Sequence, residues 1–429
     1  MTVLQNPDLE TMKQIKSIIY DFLWDSRPDK IARTIIIQDY PNGGLKMIDI
    51  KCFVNSLKAS CVKRLKLSDS LTSSIYAKQL NTYGGHILFK CNTSVQNLKH
   101  IKFNSQFLSE IVYAWIVGKH NDNIATSKQI LWNHSEICRS NGNAFFYKNW
   151  FSKGIQYIEH IYDFRTKRFY NFEDFSTLYN IPRSDFLKYH ILVTSVSPEI
   201  KANIEKEEMC YKVPTYIFDN IKENTKVCKY MYETFIKQKV PNEIKSQTKW
   251  ATQLTYENIN WKEIYLLPIK LTIDTKLREF QFKFLHQIIP TNTFLFKCNI
   301  VSSSLCEFCN SNPDSIAHMF WECQHIQIFW TSFTDTFLKK LNVENNINFN
   351  CIVFCNLLEQ NQDNYLLVNY LILLAKYFIF KEKCQNHIPV ISGFKSYVKD
   401  KQLVEDVIAS MKQTQNDFNK KWQLYQQLF

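Results

Sequence analysis

Four side chains in one short stretch have the types and spacing of a metal site. Cys306 and Cys309 are separated by two residues; eight more intervene before His318, and four before Cys323. Zinc takes four donors in a tetrahedron, mostly thiolate sulfur and imidazole nitrogen, and a Cys-x-x-Cys turn presents two of them without strain. His318 and Cys323 stand roughly one and a half helical turns apart, so a distorted or ending helix would bring both inward. Asn310, Asn312, Pro313 and Asp314 are turn formers suited to the loop between the two pairs. Four protein donors would close the site, leave no position for an activated water and give Zn2+ a structural part. Cys298 and His325 are spare donors, able to replace Cys306 or His318 if the loop folds differently. The other reading, a redox Cys-x-x-Cys, needs a strand leading into a helix, and that context is missing.

Other chemistry is hard to find. No two aspartates are adjacent, so a paired-carboxylate polymerase signature is missing, and there is no Gly-x-Ser-x-Gly, Walker loop or His-Glu-x-x-His. Glu173-Asp174 is a carboxylate pair in an aromatic, helix-like stretch, where a solvated face accounts for it. Phe320, Trp321, Phe329 and Trp330 surround the four donors. Such aromatics either stack on unpaired bases or form the small core under a metal, the commoner fate and the one expected of Trp330. The net charge of +12 suggests a polyanionic partner. Two basic sets are candidate phosphate contacts: Lys51, Lys58, Lys63 and Arg64, and, nearer the cysteines, Arg278, Lys283 and Lys297. Each of these taken singly reads as an ordinary surface charge.

The elements that must position these groups are mainly α. Only 8 glycines occur in 429 residues, none between Gly154 and Gly393, which disfavours phosphate-cradling loops and tight hairpins. Leu9, Met12, Ile15, Ile19 and Phe22 predict an amphipathic helix to about Trp24. Thr34 to Ile37 are β-branched and read as extended, and Pro41-Asn42-Gly43-Gly44 as a turn. Phe53, Val54, Leu57, Cys61 and Leu65 mark the next helix. Asn180 to Ser184 reads as a helix stop with Ser184 capping the helix that follows. Lysines outnumber acids between Lys222 and Lys249, around Pro241, which suggests a linker and a boundary near residue 250. Leu277, Phe280, Phe284 and Ile288 form a stripe ended by Pro290, and Val404 to Trp422 reads as one long helix. The division expected is 1–70, 71–250 and 251–429, the last carrying the zinc motif at about 275–335. The pattern of residues 70–250 does not phase. Leu366 to Ala375, interrupted by Asn369 and stopped by Lys376, is too short to span a bilayer and reads as a buried helix.

Residues 305–330, preceded by Phe280-Gln281-Phe282-Lys283-Phe284-Leu285-His286 and Ile289-Pro290-Thr291, resemble the reverse-transcriptase zinc-binding region of non-LTR retrotransposon polyproteins of the long interspersed type. Trp321-Glu322-Cys323 and Phe329-Trp330 strengthen the likeness. Phe22-Leu23-Trp24, the basic segment after it and Gly43-Gly44-Leu45 resemble the polymerase thumb. Trp150, Gly154-Ile155, Ile181 to Phe186 and Ala375 to Ile379 resemble the connecting region of the same polyproteins. Only the zinc motif is individually specific. The resemblance implies Cys306, Cys309, His318 and Cys323 as zinc ligands and binding of RNA and target DNA. It implies no polymerase activity, because the palm and the endonuclease, which lie upstream in such polyproteins, have no counterpart here; the chain reads as a downstream, non-catalytic fragment.

The 13 cysteines, scattered and odd in number, argue against a secreted disulfide framework. Met1 to Glu10 carry no secretory leader, so a cytoplasmic or nuclear location is expected, with no membrane and no small-molecule substrate. A zinc-stabilised protein scaffold and a decayed fragment without nucleic-acid binding are the competing expectations.

Overall fold

Where glycine is scarce, helices must stop by other means, and here asparagine takes that part. Asn180, Asn299, Asn342 and Asn386 all adopt the left-handed conformation within the glycine-free stretch, the residue type that tolerates it best after glycine. The computed structural model describes residues 6–99, 101–119, 124–207, 216–241, 243–254, 259–343, 347–357, 364–423 and 425. Helix makes up 62% and strand 3%, a mainly α chain as the composition predicts. The chain forms two compact units. One holds the described residues of Met1–Arg27 and Ile48–Lys239, the other Pro28–Met47 and those of Val240–Phe429.

The first unit is organised on the helix Ile50–Leu67, which packs against Gln106–Gly118 and Val227–Lys237. Asp49 caps it, accepting from the Cys52 amide at 2.9 Å. The middle of this unit is an aromatic core around Trp132, Phe145, Trp150 and Phe175. Its only strands among the described residues, Tyr162–Asp163 and Arg168–Phe169, pair antiparallel. Several expectations need correcting here. The first helix runs over Leu9–Trp24, but it buries Tyr20 and Trp24 while Leu9 and Phe22 are exposed; periodicity located the helix and not the face it buries. Phe53 is exposed too. Ser184 does not cap the helix Phe186–Thr194. A 3-10 turn, Arg183–Asp185, intervenes, and Asp185 stands at the cap position with its carboxylate turned to the Trp150 indole N–H at 2.8 Å and to Lys188 at 2.6 Å. The lysine-rich stretch read as a linker carries helices on both sides of Pro241, Val227–Lys237 and Lys245–Leu254, and the division between the two units falls within it, after Lys239.

His134 supplies a pH-dependent term in this unit. Its ring is fully buried, with Nε2 2.9 Å from Gln129 Oε1 and Nδ1 accepting from the Glu136 amide at 3.1 Å. Burial, with the Lys119 cation adding to it, holds its pKa down at about 4. An unfolded chain therefore takes up this proton below about pH 6.5 while the native one does not until about pH 4. The contribution is fully present above pH 6.5 and is lost as pH falls towards 4. A loss on the order of 3 kcal/mol is expected across that window, read as the difference in pH slope of denaturant stability between the native protein and His134→Gln. Equal slopes would contradict it.

The second unit is built around Tyr365–Cys384, whose apolar run is buried. Against it lie Trp261–Leu271, Thr275–Leu285, Phe349–Phe354, Ile391–Lys412 and Gln415–Trp422. The terminal segment is thus two helices and not one, broken at Gln413, which is left-handed. Among the described residues no helix is long and apolar enough to cross a membrane. Lys376 sits fully buried in this unit, donating to Gln281 Oε1 at 2.7 Å and to the Val353 carbonyl at 3.2 Å over the face of Phe284. The segment Pro28–Met47 belongs to this unit although more than 190 residues separate it from Val240. Thr34 to Ile37, read as extended, instead fall on the helical turn Arg33–Ile36 and its cap Ile37, with Ile35, Ile36 and Ile37 buried; burial overrides β-branched propensity. The Pro41–Gly44 turn is present. Gly43 is left-handed, and a Cβ on Gly44 would stand 2.0 Å from the Gln38 carbonyl oxygen. The turn is held by His286, whose Nε2 lies 2.9 Å from the Gly43 carbonyl oxygen.

Candidate metal centre

Cys306 and Cys309 sit on a tight turn closed by the Asn310 amide, which donates to the Cys306 carbonyl at 2.8 Å, with Asn310 left-handed. The Cys306 amide donates to the Asn312 carbonyl at 2.9 Å, and Leu305 bridges antiparallel to Pro313, so both thiols point from one end of a small hairpin. The other two donors need a different device. On a regular α-helix, residues five apart diverge by about 140° around the axis. Here His318–Glu322 is a single π turn, closed by the Cys323 amide donating to the His318 carbonyl at 3.1 Å. The wider turn places His318 and Cys323 on one side. Cys323 then turns extended and opens the helix Gln324–Phe333.

The donor atoms of Cys306, Cys309, His318 and Cys323 all lie within 4.8 Å of one another, and Cys309 Sγ stands 3.3 Å from His318 Nε2. Sulfur and nitrogen bound tetrahedrally to one zinc stand about 3.6 Å apart, so the Cys309–His318 pair need widen only slightly and the more distant donors close in slightly to fit that ion. Burial pushes the Cys306 and Cys323 thiols up. On Cys309 burial acts the same way, but the Ser311 and Asn312 amides and the His318 ring outweigh it and hold this thiol below its usual range. Three thiolates this close repel one another unless a cation lies between them. A cation here has four protein donors, and zinc bound this way serves to fix the fold. Cys298 is exposed at the end of the helix Asn292–Lys297, and His325 lies on the next helix; neither belongs to the cluster.

A second layer, unseen in the sequence, fixes the hairpin. Asp314 was legible only as a turn former, yet it is fully buried. Its Oδ2 accepts from the Asn292 amide at 2.6 Å and pairs with Lys383 of the long buried helix. The Asn292 side chain donates to the Leu305 carbonyl at 3.0 Å and reaches Glu307 Oε1 at 3.3 Å. The polar composition of Asn292 and Asp314 is ordinary for a loop, so no local signal marks them. Around the donors, Phe320, Phe329 and Trp330 are core, and the Trp330 indole donates to the Phe320 carbonyl at 2.8 Å. Trp321 is half-buried.

The match with known proteins falls on this region. Residues 228–330 match the family described as zinc-binding in reverse transcriptase. All four donors lie inside the matched stretch, which ends at Trp330. No curated protein matches the chain. The finding supports a reverse-transcriptase-related element with a zinc-binding accessory region.

The basic residues are less uniform than their spacing suggests. Lys58 is fully buried, 2.6 Å from Glu110 and over the Phe107 ring, so, against the expectation from sequence, it offers no contact to a phosphate at the surface. Arg278 is committed to backbone carbonyls, donating to Thr272 at 2.6 Å and Ile269 at 3.1 Å. Lys283 pairs with Glu279 at 2.5 Å. Lys63 donates to the carbonyls of Glu223 and Thr225 and has no carboxylate partner among the described residues. Lys51, Arg64 and Lys297 are exposed.

Proposed function

We propose that this chain is a nucleic-acid-binding, non-catalytic part of a non-LTR reverse transcriptase, contacting RNA and DNA, with zinc holding one binding element in shape. The observation that supports it most is the three-cysteine, one-histidine cluster within the stretch matched to a zinc-binding region of reverse transcriptase. The closed donor set leaves no place for metal-activated water, which favours a binding role over chemistry at this site. The net charge of +12 favours a phosphate-bearing partner. A cytoplasmic or nuclear location follows from such a partner.

The test is a salt titration of binding to a structured RNA, with zinc-loaded protein beside Cys306→Ser, Cys309→Ser. A phosphate-binding protein loses affinity log-linearly with salt, by about 0.7 to 0.9 in slope per neutralised phosphate. Steep binding by the zinc-loaded protein, weakened in the variant, is expected. Flat or absent binding by folded, zinc-containing protein would overturn the proposal and leave the scaffold and the decayed fragment as the remaining readings.

A further inference from the structure

We infer that a single-stranded nucleic acid is bound in a groove of the first unit, between the helices Ile50–Leu67 and Val227–Lys237, by residues that take no part in the metal centre. The inference rests on the nucleic-acid reading above and names a surface and a strand form for it. The groove measures about 840 Å³ and is lined by Phe53, Lys63, Arg64, Lys226, Lys229 and Tyr232, together with serine hydroxyls. That volume lies in the range that holds ligands of nucleotide size.

Its charge is one-sided. Four cations line it against one acid, Glu223. Lys63 is spent on carbonyl oxygens, which tie the Glu223–Thr225 loop to the helix without neutralising the cation. Arg64 and Lys226 are exposed and make no ion pair among the described residues, and Lys229 reaches Glu233 only at 3.8 Å with both side chains mostly in solvent. Beside these cations Phe53 is 41% exposed although it sits on the central helix of the unit. An aromatic face next to solvent-exposed cations is the arrangement that tracks an unpaired strand, cations along the backbone and a base on the ring. A duplex keeps its bases stacked and has nothing to offer Phe53.

The helix positions explain why no single stretch of sequence reveals the groove. Phe53, Lys63 and Arg64 come from one helix, and Lys226, Lys229 and Tyr232 from another some 160 residues later. In the sequence Phe53 is one of the apolar residues that mark the helix, with nothing to set it apart.

The experiment uses the full zinc-loaded chain and an end-labelled oligouridylate, with affinity followed against salt. Two variants are compared, Arg64→Gln, Lys226→Gln, Lys229→Gln and, separately, Phe53→Ala, all at exposed positions, with zinc content and helicity confirmed. The triple variant is expected to lower the salt slope by about 2, at about 0.7 per single-strand phosphate contact. Phe53→Ala is expected to weaken binding about tenfold with the slope unchanged. If the native protein binds the oligomer and neither variant changes it, the groove is overturned while the nucleic-acid reading stands. If polyglutamate or a duplex competes as well as the oligomer, the single-strand assignment is overturned. If no nucleic acid binds, the wider reading falls as well.

Discussion

Stripping zinc with a chelator at neutral pH is expected to unfold the metal hairpin and to lower the thermal transition of the second unit by more than 10 °C, with the first unit unaffected. The size follows from where the donors sit. Cys306, His318 and Cys323 are buried, and Phe308, Met319, Phe320 and Ile326 beside them belong to the same core as the long helix Tyr365–Cys384. Removing the ion leaves buried thiols and an imidazole crowded together with nothing to bind them, at the edge of that core. Zinc-binding free energies in small zinc domains reach about 10 kcal/mol or more, comparable with the whole stability of a domain. Hydrogen exchange gives the map: loss of protection is expected across residues 305–330 and then along the Tyr365–Cys384 helix. An unchanged transition after complete removal of the ion would contradict this.

Lys383→Ala is expected to destabilise the second unit by about 3 to 5 kcal/mol, the usual consequence of leaving a buried carboxylate without its partner. Asp314 is fully buried, and its Oδ1 has no partner, so Lys383 and the Asn292 amide on Oδ2 are what hold its charge. The double variant Asp314→Asn, Lys383→Met is expected to recover most of the loss, because it removes the orphaned charge instead of exposing it. Denaturant midpoints with constant slope provide the reading. A Lys383→Ala loss under 1 kcal/mol, or a double variant worse than the single, would show that the pair does not anchor the hairpin.

The zinc donors were legible because a metal site imposes residue types and spacings that chance rarely supplies. Even the five-residue step from His318 to Cys323 announced a distorted helix, which the π turn provides. The helical class followed from the rarity of glycine. What the sequence withheld was whatever depends on distant packing. The helix Leu9–Trp24 was recognisable, but its apolar residues lie on more than one side, and the choice of Tyr20 and Trp24 is made by neighbours far along the chain. Lys58 looked like a surface charge until Glu110 was placed beside it. Pro28–Met47 joins the second unit through contacts such as His286 to Gly43, across 243 positions, which no local pattern encodes. Asp314 and Lys383 are 69 positions apart and have the same limitation.

The most direct test of the account is cobalt substitution of the full chain, followed by visible absorption and metal content. One ion per chain, intense d–d bands of a tetrahedral centre and thiolate charge transfer reduced stepwise by Cys306→Ser, Cys309→Ser and Cys323→Ser are predicted. His318→Ala should shift the bands, and Cys298→Ser should not. Weak octahedral bands, no stoichiometric binding, or a spectrum indifferent to these cysteines would contradict the closed four-donor centre on which the account stands.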